Sequence, residues 1–401
     1  MKKQILKYTL LSLAASSTLL ASGYKIPENS MNAVGLCAAN IAHAKGADAA
    51  YYNPANMVFM ENKNYVEVAT TYIGLDATKF TGSGAYSGID IDAHSEKFLI
   101  PSLHYVSEDI NGYRIGFDIV VPAGLTKRWD DAPAVYSAKK FSLEVVELNP
   151  SVAMKLTDDI AFAAGVRAVY SSGIVQSEYT ASRDLQGDSM DFGYNLALSY
   201  KPTSKIDVAL TYRSNINLTV SGNAKLDVSG TRVYDGGGNV MVPLPASASL
   251  AAAYTFDTKT TVEVVIERNF WSAYDELDFD YASAIPAILV SSFDDPIAKN
   301  WKDVNAYRVG VTQELDSMTL MAGFVYDQNP VPDDKVTFEL PDSDSMAISF
   351  GIRYPVNQDL DVGLSAIYSM HEDRDVSNST MVGTISNSNI TLVSVGLGYK
   401  F

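Results

Sequence analysis

Short runs in which apolar and polar residues alternate recur along the chain from about residue 65 to residue 401. A period of two marks a β-strand whose two faces meet different surroundings, because successive side chains point to opposite sides of a sheet. Tyr113, Ile115, Phe117, Ile119 and Val121 alternate with Arg114, Gly116, Asp118 and Val120. Met346, Ile348, Phe350, Ile352 and Tyr354 alternate in the same way with Ala347, Ser349, Gly351 and Arg353. No helical period competes in these windows. About fourteen such runs are found, centred near Ala69, Ile100, Phe117, Pro150, Val166, Leu196, Thr211, Ala251, Val265, Val309, Ala322, Phe350, Leu364 and Leu397.

The connections carry a second pattern. Short joins around Glu108-Asp109, Thr157-Asp159, Pro202-Ser204, Asp257-Lys259, Asp316-Ser317 and Asn357-Gln358 take turns with long ones. The long ones are expected at Asp76 to Glu96, Pro122 to Lys140, Gln176 to Ser189, Ser221 to Pro245, Asp275 to Val304, Asp327 to Asp344 and His371 to Asn389. Tight turns at one end and long loops at the other are the habit of a transmembrane antiparallel β-barrel, whereas a soluble sandwich has no reason to keep that asymmetry. An even strand number returns both chain ends to the same, periplasmic side. The last run places Val393, Val395, Leu397, Tyr399 and Phe401 on one face. A closing strand with a terminal aromatic resembles the signal read by the barrel-assembly machinery. Closure matters because an open strand edge in lipid leaves backbone groups unpaired at several kcal/mol each.

Ahead of the first strand the pattern changes. Lys2, Lys3 and Lys7, an apolar stretch from Tyr8 to Ala21 and the small residues Ala21-Ser22-Gly23 read as a secretory signal peptide, too short to span a bilayer comfortably as a helix. Residues 23–62 are small, Ala-, Asn- and Gly-rich, and do not alternate. They form either a compact plug (a hatch) in the lumen or a periplasmic tail, and Ala49-Ala50-Tyr51-Tyr52-Asn53-Pro54-Ala55 is apolar for a disordered tail. The expected division is therefore a signal segment at 1–22, a hatch at 23–62 and the barrel at 63–401.

Composition narrows the function. The formal charge of −17 becomes three units more negative once Lys2, Lys3 and Lys7 are removed, which argues against a nucleic-acid partner. Cys37 is the only cysteine, so no intrachain disulfide and no cysteine-based zinc cluster is available, and no cofactor or metal is expected. Beyond the N-terminus no run of about 18 apolar residues occurs, so no helical span is expected. Tyrosine is frequent, at 24 residues, as suits a chain with interfacial aromatic belts. His43, His94, His104 and His371 are scattered, and neither GxSxG nor HExxH is present, so an enzyme is not expected. Asp294-Asp295 and Asp333-Asp334 lie in outer loops, where they are either solvated or meet divalent cations with lipopolysaccharide.

Gly46-Ala47-Asp48-Ala49-Ala50-Tyr51-Tyr52-Asn53-Pro54-Ala55-Asn56-Met57, just before the first strand, resembles the Asn-Pro-Ala hatch motif of the FadL/TodX-type outer-membrane transporters of long-chain fatty acids and hydrocarbons. Other stretches agree in order. Leu210-Thr211-Tyr212-Arg213-Ser214 resembles that family's Tyr-Arg-Ser strand, and Lys302-Asp303-Val304-Asn305-Ala306-Tyr307-Arg308 its Lys-Asp-x-Tyr-Arg stretch with two extra residues. Asp327-Gln328-Asn329-Pro330-Val331-Pro332 and Leu340-Pro341-Asp342-Ser343-Asp344 resemble its Asp-x-x-Pro-Val-Pro and Pro-Asp-x-Asp pair. The resemblance spans essentially the whole mature chain. It implies a fourteen-stranded barrel with an N-terminal hatch at Asn53, Pro54 and Ala55, monomeric, in the outer membrane of a Gram-negative-type bacterium. It also implies passive passage of hydrophobic ligands to an interior pocket, then sideways through a gap in the wall at a kinked third strand. Here that strand reaches Val120-Val121-Pro122-Ala123-Gly124; proline removes a ladder donor and glycine tolerates a bend, so Pro122 and Gly124 mark either a lateral opening or simply the strand's end. Gln176 to Ser189 is short for the family's usual outer loop, and Ile285-Pro286-Ala287-Ile288-Leu289-Val290 is expected to serve as the outer groove or to pack down as a lid.

Alternation puts Arg114, Arg167, Arg213, Arg308 and Arg353 on inward faces with Glu67, Asp118, Glu263, Glu267 and Asp361, since Arg or Lys facing lipid at mid-membrane costs about 2–4 kcal/mol. Two roles stand for these cations: Arg167, Arg308 or Lys302 meets a fatty-acid carboxylate, or the arginines belong to a network tying wall to hatch. Ile288 and Leu289 are the expected apolar ligand contacts. The competing functions are a general or solute-specific porin and an outer-membrane enzyme.

Overall fold

The computed structural model describes residues 23–401; the expected signal segment, 1–22, lies outside the described residues. Fourteen strands form the wall: β1 (Tyr65–Leu75), β2 (Glu96–Val106), β3 (Tyr113–Val120, continued by Gly124–Arg128), β4 (Lys140–Lys155), β5 (Ile160–Glu178), β6 (Ala181–Thr203), β7 (Ile206–Arg213), β8 (Ser247–Thr255), β9 (Thr260–Asn269), β10 (Val304–Glu314), β11 (Thr319–Asp327), β12 (Ser345–Pro355), β13 (Leu360–His371) and β14 (Ile390–Lys400). Each pairs antiparallel with the next. The ring closes where β1 meets β14, from Tyr65↔Lys400 to Leu75↔Ile390. Asn64 and Phe401 exchange backbone hydrogen bonds of 2.9 and 3.0 Å, so the first and last strands start and finish at the same rim.

The alternation has the physical cause expected of it. An 11-residue strand such as β1, rising about 3.3 Å per residue and tilted by about 40°, gains roughly 28 Å of height, the span of a bilayer's hydrocarbon. Outward side chains in that band are apolar and exposed, among them Val68, Leu99, Val166, Leu250, Phe350 and Val395. Outward tyrosines ring both edges: Tyr113, Tyr200, Tyr254, Tyr354 and Tyr399 near the short turns, and Tyr72, Tyr194, Tyr307, Tyr326 and Tyr368 near the loops. Such girdles place amphipathic rings at the two lipid–water interfaces. The short turns use the expected chemistry: Asn111 and Gly112 take φ of +56° and +88°, the left-handed pair of a tight hairpin turn. Phe401 stacks on Tyr399 at 5.6 Å on the lipid face of the closing rung. Phe401→Ala removes that terminal aromatic, and the amount of heat-modifiable barrel in outer-membrane fractions is expected to fall; a normal yield would show that the closing strand carries no such signal.

At the outer rim the long connections are more ordered than the sequence suggests. Gln176 to Ser189 is not a loop: β5 runs to Glu178 and β6 starts at Ala181, so the two strands rise well above the membrane and turn in two residues. Ser221 to Pro245 is likewise mostly strand, a hairpin of Ile216–Val228 and Thr231–Leu244 that stands on β7 and β8 and pairs with the upper part of β6. Its turn, Ser229-Gly230, again uses two positive φ values. The polarity of these segments predicts loops, but above the lipid a strand no longer needs an apolar outer face. Lys79–Gly82, Asp90–Asp92, Arg374–Ser377 and Val382–Ser386 join the first and last loops in a separate four-stranded sheet. The largest apolar cluster lies under these outer segments and includes Phe80, Trp129, Phe141, Tyr234, Trp271 and Phe338.

Residues 23–62 lie within the ring of strands. They contain α1 (Met31–Gly35), α2 (Ala49–Tyr52) and a 3-10 turn, Pro54–Phe59. Small inward residues on the wall make room for them: a Cβ on Gly323 would come within 2.3 Å of the Leu36 backbone, and one on Gly396 within 2.9 Å of Met31. The contact is polar as well as close. Glu263 accepts backbone N–H groups of Ile41, Ala42 and His43 at 2.7, 2.7 and 3.1 Å. Arg114 donates to the carbonyls of Met57 and Glu61 at 2.8 and 3.0 Å, and Arg353 to Asn32 at 2.9 Å.

Candidate functional site

The site is built where the hatch meets β3. On the lower part of the barrel β3 pairs with β2 over four rungs, from Val106↔Gly116 to Leu103↔Ile119. Above Ile119 the pairing to β2 stops, while pairing to β4 continues as Gly124↔Glu144 to Arg128↔Lys140. Between Val120↔Glu147 and Gly124↔Glu144, residues 121–123 face only 145–146, an extra residue that bends the strand. The edge that leaves β2 is taken up by the hatch: Ile26 donates to Pro122 O at 2.9 Å, Gly124 donates to Tyr24 O at 2.9 Å, and Val121 donates to Asn29 Oδ1 at 3.1 Å. Higher still the two sides converge again, with His94 N donating to Arg128 O at 2.9 Å and Arg128 paired to Glu96 at 2.6 Å. Glu96 to Ser102 of β2 and residues 120–128 thus border an interruption in the ladder. Pro122 and Gly124 sit in it.

Behind Pro122 lies an interior cavity of about 60 Å³, walled by apolar groups (Ile26, Ile41, Leu244) and by Lys25, Arg167, Arg213 and Arg308. Tyr24 belongs instead to a smaller outer cavity, of about 20 Å³, with Phe141, Tyr274, Lys299, Trp301 and Leu340. Residues 24–26 therefore stand between the two. Their outer end is held firmly: Tyr24 packs edge-on to Trp271 at 4.8 Å, and Gly23 N donates to Asp342 Oδ2 at 3.1 Å. Burial pushes the Asp342 carboxyl up to about 8, so near neutrality that contact is an ordinary hydrogen bond. A third cavity, of about 260 Å³, opens at the turn side between hatch and wall, beside Asn32, His43, Glu67, Arg353 and Lys400.

The residues singled out in the sequence divide clearly. Arg167 and Arg308 share the interior cavity. Arg167 is 2 % exposed and committed to other partners, donating to Glu147 at 2.9 Å and to Ser214 O at 2.7 Å, while Glu147 also receives Arg213. Arg308 donates to Cys37 O at 3.0 Å, but its Nη2 has no hydrogen-bond partner among the described residues, and Glu267 and Asp327 stand off at 3.8 and 3.9 Å. Asn53 and Asn56 bind wall to hatch: Asn53 Nδ2 donates to Ile41 O and Ser199 Oγ, both at 2.9 Å, and Ser199 Oγ donates to Asn56 Oδ1 at 2.8 Å. Pro54 opens the 3-10 turn, where a missing N–H costs nothing, and Ala55 is fully buried. Lys302 is not in the lumen; it is exposed in the loop before β10, its backbone N–H bonded to Pro330 O at 3.0 Å. Ile288 and Leu289 do not act together: they lie on a short helix, Ala287–Phe293, whose Leu289 and Phe293 point down into the core while Ile288 is 78 % exposed. Lys25, Tyr24, Lys299 and Trp301 were missed. The hatch gives no alternation to orient Tyr24 or Lys25, and loop residues take their direction from packing.

Three comparisons place this architecture. The profile of the family described as outer membrane protein transport protein (OMPP1/FadL/TodX) matches residues 12–401. A long-chain fatty acid transport protein of Escherichia coli O6:H1 is 23 % identical over 91 % of this chain and 91 % of its own length. Among solved structures, a Pseudomonas aeruginosa FadL homologue superposes with a TM-score of 0.84 at 18 % identity, covering 94 % of this chain and 99 % of that one. The toluene transporter TbuX of Ralstonia pickettii gives 0.72 at 15 % identity, covering 93 % and 99 %. With its closed fourteen-strand wall, its girdles of tyrosine and a profile match along nearly its whole length, the chain belongs to the OMPP1/FadL/TodX family of outer-membrane transport proteins.

Proposed function

We propose that this protein carries long-chain fatty acids or comparable hydrophobic small molecules across the outer membrane by passive diffusion, with exit sideways through the wall beside Pro122. The observation that carries the reading is the juxtaposition of an interior cavity with an interrupted ladder at the same residue. An apolar molecule gains nothing from a water-filled pore, because it would have to leave lipid-like surroundings twice. A break in the wall delivers it directly to hydrocarbon. The relatives named above for fatty acid and for toluene transport support the choice of cargo. Residues 23–62 act as the plug, and the lumen they fill speaks against an open porin.

For an acidic cargo, Arg308 is the better-placed partner of the two interior arginines. Its Nη2 still lacks an acceptor, whereas the donors of Arg167 are engaged by Glu147 and Ser214. The carboxylate would meet a guanidinium in a site of low dielectric, where a charge-assisted hydrogen bond is stronger than in water. Passage from the outer to the inner cavity needs residues 24–26 to move, since they separate the two.

The test is uptake. Cells in which the gene is disrupted and then restored on a plasmid should regain entry of labelled oleate or toluene, while liposomes containing the purified protein should not swell in arabinose. Sugar-driven swelling at porin rates without any gain in hydrophobic uptake would overturn the reading.

A further inference from the structure

We propose that the cavity on the turn side binds the ammonium group of a small aliphatic amine, and that the bound amine ties the hatch to the wall. The site lies at the periplasmic end of the lumen, away from the wall gap and from the outer loops.

This cavity, of about 260 Å³, has the hatch on one side (Asn32, Asn40, His43, Gly46) and the wall on the other (Glu67, Arg353). A water takes up roughly 30 Å³, so there is room for far more than one bridging water. Three buried atoms in or beside it lack a hydrogen-bond partner among the described residues: Glu67 Oε1, His43 Nε2 and Asp48 Oδ1. Glu67 is 1 % exposed, and its other oxygen accepts from Arg353 at 2.7 Å. His43 points Nδ1 at the Asp207 carboxylate; with the proton of the imidazole on that side, Nε2 presents its lone pair. Asp48 is fully buried, and its Oδ2 accepts from Ser30, Asn32 and Asn40 at 2.8, 3.0 and 2.9 Å. Its Oδ1 stands beside Gly46, where a Cβ would come within 2.8 Å of it. A larger residue at that position would cover the oxygen. All three unmet atoms accept.

A buried acceptor without a donor bears its desolvation cost, and a carboxylate bears more than a neutral group. A primary ammonium answers such a set, because it carries three donors and no acceptor. The protein's own cations round the cavity are taken: Arg353 by Glu67 and Asp361, Lys45 by Glu314 at 3.1 Å, and Lys400 by Glu61 at 3.6 Å. Asp48 adds a further carboxylate with no cation on it, so one more positive charge is favoured. A metal ion does not suit the place, since no group of three or more His, Cys, Asp or Glu able to hold one occurs among the described residues. Leu36, Met321 and Tyr399 also line the cavity and suit the methylenes of an alkylamine. Glu314 lines it too and is half exposed, which offers a second carboxylate to a short diamine. Because the acceptors come from both hatch and wall, an amine held by them joins the two.

The test uses the full-length protein in detergent with labelled putrescine, in equilibrium dialysis at about 0.15 M salt to screen weak binding to exposed acidic loops. Putrescine is expected to bind saturably and to slow hydrogen exchange severalfold in hatch peptides covering residues 32–48. Butane-1,4-diol, of the same length but uncharged, should do neither. Glu67→Gln is expected to weaken binding about tenfold or more, the loss of a charge-assisted pair. Should Glu67→Gln yield no heat-modifiable barrel, Thr312→Lys, which sets a lysine of the wall into the same cavity, should abolish binding by taking its acceptors. No saturable binding in the wild type, binding unchanged in the recovered variants, or binding that leaves exchange in residues 32–48 unaltered overturns the proposal. None of these outcomes touches the transport reading, which is decided by uptake.

Discussion

Deletion of residues 24–60 is expected to leave a barrel that assembles but conducts. No wall strand is removed, since β1 begins at Tyr65, and the ring closes through β1 and β14 without help from the hatch. What disappears is the material that fills the lumen: α1, α2 and the turn at Pro54, with their contacts to Glu263, Arg114, Arg353 and Ser199. The freed wall charges would be hydrated, because they face a cavity that water can enter. A fourteen-strand ring emptied in this way is wide enough for an aqueous path, so single-channel conductance in planar bilayers should rise by roughly an order of magnitude or more. Unchanged conductance in a correctly folded deletion variant would mean that residues 23–62 do not plug the lumen.

The second large effect concerns the wall. Pro122→Val with Gly124→Val restores a ladder donor and puts two β-branched residues where a proline and a glycine now stand. Both changes favour a regular strand, and a regular β3 would continue its pairing to β2 beyond Leu103↔Ile119. That pairing competes with Tyr24 and Ile26 for the same edge of β3. With the ladder closed, hydrophobic cargo can reach the interior cavity but not leave it sideways. Uptake of labelled oleate by cells should drop to the level of cells without the protein, while binding to detergent-solubilised protein persists. Wild-type uptake by a variant whose third strand is shown to be regular would sink the lateral route.

How much of this was legible beforehand differs between wall and site. The fourteen strands, their inward arginines and carboxylates, and the tight turns all followed from a period of two, because lipid on one side and packed polar interior on the other impose opposite demands on successive residues. The same logic failed above the membrane. Once lipid is left behind, Gln176 to Ser189 and Ser221 to Pro245 lose the contrast that identifies a strand, so the pattern predicts loops where the wall continues as strand.

The amino-acid sequence by itself determined the class of the protein: an acidic, tyrosine-rich chain whose alternating runs and short turns admit a closed barrel, with an odd, small-residue segment before it and a proline and a glycine in its third strand. Only the tertiary structure decided what those features do together. It gathered Lys25, Arg167, Arg213 and Arg308 round one cavity, although they come from the hatch and three strands far apart in sequence. It set Lys302 outside and turned Leu289 inward while leaving Ile288 to solvent, a choice that depends on how a loop helix happens to pack. It also showed that the edge of β3 abandoned by β2 is occupied by Tyr24 and Ile26. The reason is general. A strand's periodicity reports which medium each side chain faces, and that is a local property; which groups converge on a cavity, and which backbone edge is left to be filled, depends on register and closure around the whole ring.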